Sequence, residues 1–433
     1  MYRHLSKELN AFAAPLILNN LFSVVMSTAM FAIIGNISPN AIIVTGIIDS
    51  LMYTLIGVLG VGTLSFNIYA SRVRKDKPHE FKDYFKSILL LNGMIGVIFV
   101  LLIMFSATFF LREIYLFSGN LLMIGTWYAK IVSLKVFFNM LIFAMSNQVK
   151  VNKKTNDILK VGVISSIFQV LLAIYLVFFV FSGEEKILGI GISSTLSLLI
   201  SVLAYLFILR KDIKELKLIK SSKKTFLLIK SVPLFGQELL EGSVMEFVLT
   251  IFLSRLGTLY AAYLVCLNVV TLCLTPMFMY CNAIVVMVGE RLTNRETDEL
   301  NLIPKLSLAW IVGIYSVASG LLYLFRPSIL SIFSNDSLVI DLASSLLLFV
   351  VLVSLARPFF EVYKYCLQSL GHEKQVLRLT FLVNALTLLT LVSLYSFNLS
   401  NIYTLLLAVA LNYLVLANWF RVIYNAELKK MRM

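Results

Sequence analysis

The amino-acid sequence predicts an all-α polytopic membrane protein of twelve transmembrane helices, arranged as two six-helix bundles related by a pseudo-twofold axis along the membrane normal. Three observations carry this. Of 433 residues, 59% are hydrophobic and only 14% are charged, which is too apolar for a chain that must present its surface to water. The apolar residues fall in twelve long runs, each near the roughly 20 residues that cross about 30 Å of hydrocarbon. The last six runs repeat the first six at an offset of 216 to 220 residues.

The runs lie near residues 9–33, 41–70, 86–111, 121–149, 157–181, 187–209, 231–256, 259–288, 304–325, 340–366, 375–397 and 401–424. They are continuously apolar rather than alternating, which favours helices over a closed barrel of short strands. The first run follows a short basic stretch, as a cleaved leader would, but it lacks a small-residue cleavage site and is expected to stay as the first helix. In the repeat, Pro15 falls on Pro233, Asp49 on Asn268, Arg72 on Arg291, and Leu116-Phe117-Ser118 on Ile332-Phe333-Ser334. Six spans per half make the two halves run in the same sense, a parallel rather than an inverted repeat, with a substrate path expected in the cleft between them. The domain boundaries read from this pattern are 1–209 for an amino-terminal lobe, 210–230 for a basic cytoplasmic linker and 231–433 for a carboxy-terminal lobe. In the linker, Ile213, Leu216 and Ile219 recur at helical spacing among lysines. Two readings stand side by side there, a helix lying on the bilayer surface and a solvated connector.

The formal net charge of +14 raises nucleic acid as a partner, and the position of the charges argues against it. With both termini cytoplasmic, 30 of the 37 Lys and Arg residues fall in cytoplasmic segments and 4 in outer ones, while Lys130, Lys135 and Arg357 lie within spans. That is the positive-inside bias of a multi-pass protein of the cell inner membrane, and it makes anionic lipid head groups the basic surface's partner. Cys266, Cys273, Cys281 and Cys366 all sit in predicted spans without a CxxC pair, so they read as helix-packing residues rather than a disulfide framework or a metal site.

The motifs that are missing restrict the function. There is no GxxxxGK[ST] for nucleotide hydrolysis, and His372-Glu373 fails the HExxH pattern because position 376 is Val. The three histidines are dispersed, so a membrane enzyme is not expected, nor any cofactor. What remains are ionisable residues inside spans, where an unpaired charge costs at least about 2.5–3.5 kcal/mol. These are Asp49, Lys130, Lys135, Glu238, Glu241, Glu246, Arg357 and Glu361. At about 100° per residue, Gln237, Glu238 and Glu241 share one helix face, with Glu246 about 140° from Glu241. Arg357 and Glu361, four apart, share another, with Pro358 loosening that helix. Either Glu241 with Glu238 is a proton or sodium site whose charge changes in a transport cycle, or these acids are permanently paired with Arg357 or Lys135 and hold the fold together. Phe137, Phe138, Phe359, Phe360 and Tyr363 offer walls for a flat apolar substrate, although core packing explains them as well.

The segment AAYLVCLNVVTLCLTPMFMYCNAIVVMVGERL (residues 261–292), with PLILNN and FAIIG in the first run and the loops LFSGN and IFSND, resembles the multidrug and toxic compound extrusion (MATE) family. That family belongs to the multidrug/oligosaccharidyl-lipid/polysaccharide flippase superfamily. The resemblance extends over essentially the whole chain. It implies a V-shaped secondary transporter that rocks one six-helix half against the other, and it places Glu241, eight residues after Pro233, on the family's cation-coupling glutamate. Two positions depart from the pattern. Met30 stands where the family often has an aspartate, and Arg357, with Glu361 one turn on, stands where an acid is common.

These readings lead to a monomeric, ion-coupled exporter, using H+ or Na+, of small amphipathic molecules or peptides. Gln237, Glu238, Glu241, Arg357, Glu361 and Asp49 are its candidate coupling and substrate residues. The alternatives are a lipid or lipid-linked saccharide flippase of the same superfamily, and a non-transporting binding or immunity protein derived from it.

Overall fold

The computed structural model describes residues 1–35, 37–294, 296–333 and 336–432, and all its regular structure is helical. Ser334 and Asn335, part of the repeated loop pattern, lie outside the described residues. Among the described residues eleven segments are long and apolar enough to cross a membrane, and the segment corresponding to the predicted seventh span is broken into shorter helices.

The chain divides into two compact units. One comprises residues 15–231, the other residues 1–14 and 232–433. The first contains most of α1 (Tyr2–Gly35), then α2 (Pro39–Val61), α3 (Leu64–Val73), α4 (Pro78–Phe109), α5 (Gly119–Val151), α6 (Thr155–Tyr175), α7 (Lys186–Ile208), the short α8 (Arg210–Glu215) and the start of α9 (Lys224–Glu238). The second contains the end of α9, then α10 (Glu246–Ser254), α11 (Thr258–Thr293), α12 (Thr297–Leu324), α13 (Arg326–Leu330), α14 (Ser337–Ser354), α15 (Ala356–Ser369), α16 (Glu373–Ser396) and α17 (Ile402–Arg432).

In the amino-terminal unit, α5 is the hub. Val44 and Ile48 from α2, Tyr128, Val132 and Val136 from α5, and Ile190 from α7 form one buried apolar cluster. Close helix approach depends on missing side chains: a Cβ on Gly96 of α4 would lie 2.9 Å from the Phe137 Cα. Several polar side chains buried at the helix contacts pair with one another, as a medium without water favours. The Asn67 amide donates to Asn147 at 3.0 Å, Asn147 donates to Thr63 at 2.8 Å, and Asn92 donates to the Met140 carbonyl at 2.9 Å.

The carboxy-terminal unit is built around α11. Its Ala262, Cys266, Val270 and Leu274 pack with Tyr315, Ala343, Leu347 and Leu405. The four cysteines are free, and three of them are buried. The first fourteen residues belong here because Arg291 pairs with Glu8 at 2.6 Å, Tyr280 donates to Asn10, and Trp310 donates to Ser6 at 2.9 Å. Hydropathy placed them in the amino-terminal lobe, since nothing in the apolar pattern reports side-chain pairing.

The linker is anchored at a few positions to the amino-terminal unit while most of its residues are exposed or half-buried. Arg210–Glu215 is α-helical, a single 3₁₀ turn follows at Leu216–Leu218, and the last part of the linker, from Lys224, is the start of α9. Leu216 and Ile219 are buried. The Lys86 ammonium at the start of α4 donates to both their carbonyls, at 2.9 and 2.6 Å. Asp83 accepts from the Ser222 amide at 2.8 Å and from its hydroxyl, and Lys223 pairs with Glu80 at 2.8 Å. That hydrogen bond to Glu80 holds the Lys223 ammonium above its usual pKa. The segment is therefore a strap fastened to the first turns of α4 within the amino-terminal unit.

Candidate functional site

Two breaks in regular helix shape the polar centre of the carboxy-terminal unit. Pro233 lies inside α9, and residues Leu239–Met245 then run as a π-helical segment into α10. Segments of this kind widen the turn and cluster at functional positions. The second break is at Leu355, between α14 and α15. Pro358 has no N–H to give the Ser354 carbonyl, and its ring clashes there, so the helix restarts with Pro358 in its first turn. The restart brings Arg357, Glu361 and Lys364 along one side of α15 at i, i+4 and i+7.

A chain of alternating charge results. The Lys364 Nζ lies 2.7 Å from Glu241 Oε2 and 2.7 Å from Glu361 Oε2, and Arg357 Nε lies 3.6 Å from Glu361 Oε1. The side chains of Lys364 and Glu361 are 5% and 3% exposed, and that of Glu241 is 15% exposed. Each charge therefore keeps an opposite neighbour in a setting where a lone one would be costly. The Gln237 amide donates to Glu241 and, at 2.7 Å, to the Thr380 hydroxyl. Thr380, Asn384 and Thr387 occupy one face of α16. Asn384 donates to the Leu240 carbonyl in the π segment at 3.5 Å and accepts from Asn412 of α17 at 3.0 Å, and Asn412 also donates to Thr387 at 2.8 Å.

Several expectations need correction here. Lys364, at the cytoplasmic edge of the tenth run and one of the 30 basic residues counted in cytoplasmic segments, is a buried residue of α15. The base closest to Glu241 is Lys364, while Arg357 sits beyond Glu361 with its guanidinium 5.5 Å over the Phe278 ring. Glu238 does not share the buried face of Gln237. Gln237 is 3% exposed, but Glu238 and Glu246 are exposed, because one position of helix rotation turns Glu238 away and the π segment shifts the register beyond it. Of the aromatic candidates, Phe360 is fully buried between Tyr413 and Phe420, at ring distances of 5.3 and 5.8 Å, and Tyr363 is buried beside Tyr424. Both are core residues. Arg357 and Glu246 line a separate pocket of about 160 Å³ together with Tyr260, Tyr263 and Tyr413.

Asp49 belongs to the amino-terminal unit. Its carboxylate accepts from the Tyr128 hydroxyl at 2.8 Å and from Lys135 Nζ at 3.0 Å. Asp49 and Lys135 line a cavity of about 350 Å³, whose other walls include Ser27, Met30, Ser166 and Gln169. Lys130 is not part of it, lying over the Trp127 ring at 5.4 Å. No cluster of His, Cys, Asp and Glu suited to a metal ion occurs among the described residues.

Residues 233–393 match the family model MatE. No curated protein sequence matches the chain. Among solved structures, an outward-facing multidrug resistance MATE family transporter of the MOP superfamily superposes with a TM-score of 0.85 at 13% identity, covering 99% of this chain and 97% of that one. A MOP superfamily transporter from Pyrococcus furiosus, described as having a binding pocket of reverse polarity that suggests a different function, gives a TM-score of 0.85 at 14% identity with the same coverage. A MATE structure in its straight conformation gives 0.85 at 13% identity. This multi-pass membrane chain thus carries a MatE domain over residues 233–393 and, from end to end, the twelve-helix fold of the MATE transporters.

Proposed function

We propose that the chain is an ion-coupled secondary active exporter, driven by H+ or Na+, that moves amphipathic organic molecules or peptides outward by rocker-switch alternating access. Its place would be the cell inner membrane, with both termini cytoplasmic, and it would work as a monomer and not as an enzyme. The observation that carries this reading is the buried chain Glu241–Lys364–Glu361–Arg357 beside a π-helical break. A static scaffold is better served by apolar packing than by a chain of charges of which three are largely buried and the fourth, Arg357, is 31% exposed, whereas a coupling site needs charges whose pairing can be exchanged. The cavity holding Asp49 and Lys135 supports a binding role for the amino-terminal unit, because it presents one charge of each sign among hydroxyl and amide groups.

A lipid-linked saccharide flippase is the second reading, favoured by the lysine on that cavity wall, which suits a phosphate-bearing substrate. Proteoliposomes with imposed proton or sodium gradients separate the two. Gradient-driven efflux of dyes or peptides that disappears in Glu241→Gln supports export, while scrambling of lipid-linked saccharide without a gradient, and no efflux, would overturn it. Accessibility of single cysteines at Lys186 and Ser221 from opposite sides of the membrane tests the orientation, and labelling of both from outside contradicts it.

A further inference from the structure

The position between two buried carboxylates is where a dehydrated alkali cation would sit, and in this chain it is filled by a side chain. Lys364 Nζ is 2.7 Å from an oxygen of Glu241 and 2.7 Å from an oxygen of Glu361, and the lysine is 4% exposed. Its three N–H donors are directed by a stem fixed in α15, and its charge cancels one of the two acids. Arg357, at the other end of the chain, cancels the second. We propose that Lys364 is a tethered counter-cation occupying the bridging position between Glu241 and Glu361, so that this acid pair takes up neither Na+ nor K+ while the lysine is in place.

The charge balance argues for this. Two acids and two bases leave the described chain neutral, so an added metal cation would create net positive charge in a site with almost no water to solvate it. Steric argument agrees, because the ammonium already holds one oxygen of each carboxylate at hydrogen-bond distance. Removing Lys364 changes both conditions at once. The two acids with Arg357 alone carry one net negative charge, and the bridging position is open. The inference refines the coupling site proposed above, closing the sodium option at this pair, and it is tested by ion binding rather than transport, so that either reading can fail alone.

The test is thermal unfolding of the purified, detergent-solubilised protein in NaCl, KCl or N-methylglucamine chloride at constant ionic strength, paired with equilibrium binding of radioactive sodium. The wild-type midpoint should be the same in all three salts, with no saturable sodium binding. Lys364→Met should acquire a midpoint that rises with Na+ or K+ and saturates, and this gain should vanish in Lys364→Met/Glu241→Gln. Saturable sodium binding by the wild type that is lost in Glu241→Gln would overturn the proposal, as would a folded Lys364→Met indifferent to all three cations. If Lys364→Met does not fold, the wild-type binding measurement decides alone.

Discussion

Lys364 and Glu241 lie 123 residues apart in sequence and 2.7 Å apart in space, the lysine on α15 and the glutamate in the π-helical segment that follows α9. The contact joins the π-helical break to the helix that restarts after Leu355. Removing either partner leaves the other charged and buried, which costs about 3–5 kcal/mol for a fully buried pair. Glu361 softens the loss of Glu241, because it keeps Lys364 paired, so Glu241→Gln should be milder than Lys364→Met. A double-mutant cycle on denaturation midpoints checks this. Additive effects would mean the two side chains are not coupled.

That pair also shows where the sequence was legible. Hydropathy located membrane-spanning helices because burial in lipid depends on composition, and Glu241 stood out as an acid within an apolar run. Lys364 did not, although it follows Glu361 by three positions, because the tenth run ends at about residue 366 by composition alone and the lysine fell at its edge. Thr380, Asn384 and Thr387 were likewise overlooked, but their i, i+4, i+7 spacing on an otherwise apolar helix is a readable polar stripe. The π segment leaves no comparable trace, so the register beyond Glu238 is not readable from helical spacing. The first fourteen residues, which join the carboxy-terminal unit, depend on pairs such as Glu8 with Arg291, which no local pattern announces.

The Asp49 network offers a separable test. Tyr128→Phe removes one hydrogen bond to a charged acceptor, a loss of about 1.5–3 kcal/mol, while leaving Lys135 on the cavity wall. Lys135→Met leaves the Tyr128 contact but makes the cavity net negative. If the cavity binds substrate, Lys135→Met should shift selectivity towards cationic compounds, and Tyr128→Phe should lower stability with selectivity unchanged. Competition assays with cationic and anionic dyes, read beside unfolding midpoints, distinguish the two. An unchanged dye preference in Lys135→Met counts against a binding role.

The strap makes a prediction about proteolysis. Asp83 is 7% exposed and receives both the amide and the hydroxyl of Ser222, so Asp83→Ala should free Lys217–Lys224 and speed tryptic cleavage there several-fold. Lys82→Ala should change little, because its pair with Glu215 is exposed on both sides. The Lys223–Glu80 pair adds a pH dependence. A lysine whose pKa is raised by folding contributes fully below its unfolded pKa and loses that contribution as pH rises through the folded value. Protection should therefore hold at neutral pH and decline only in alkali. Equal cleavage of Asp83→Ala and wild type would remove the strap.

The last prediction concerns Arg291, whose guanidinium reaches four carboxylates: Nη2 to Glu8 at 2.6 Å, Nη1 to Glu290 at 3.0 Å, and Nε to Glu299 at 3.0 Å and Glu296 at 3.5 Å. The arginine side chain is 9% exposed and Glu290 only 5%, whereas Glu8 and Glu299 are 21% and 23% exposed. Arg291→Met should therefore be among the most destabilising substitutions in this unit, near the lower end of the roughly 3–5 kcal/mol for a broken buried pair because three of its partners keep some water. Lysine should not rescue it. A single ammonium is a compact point charge that cannot span four acids placed around a planar fork. Because Glu8 lies on the first turns of α1, the loss should also loosen that segment, giving faster tryptic cleavage after Lys7 in both variants. Unfolding midpoints and cleavage rates measured together check the argument. A lysine variant as stable and as protected as wild type would show that charge alone, rather than the arginine fork, holds α1 to this unit.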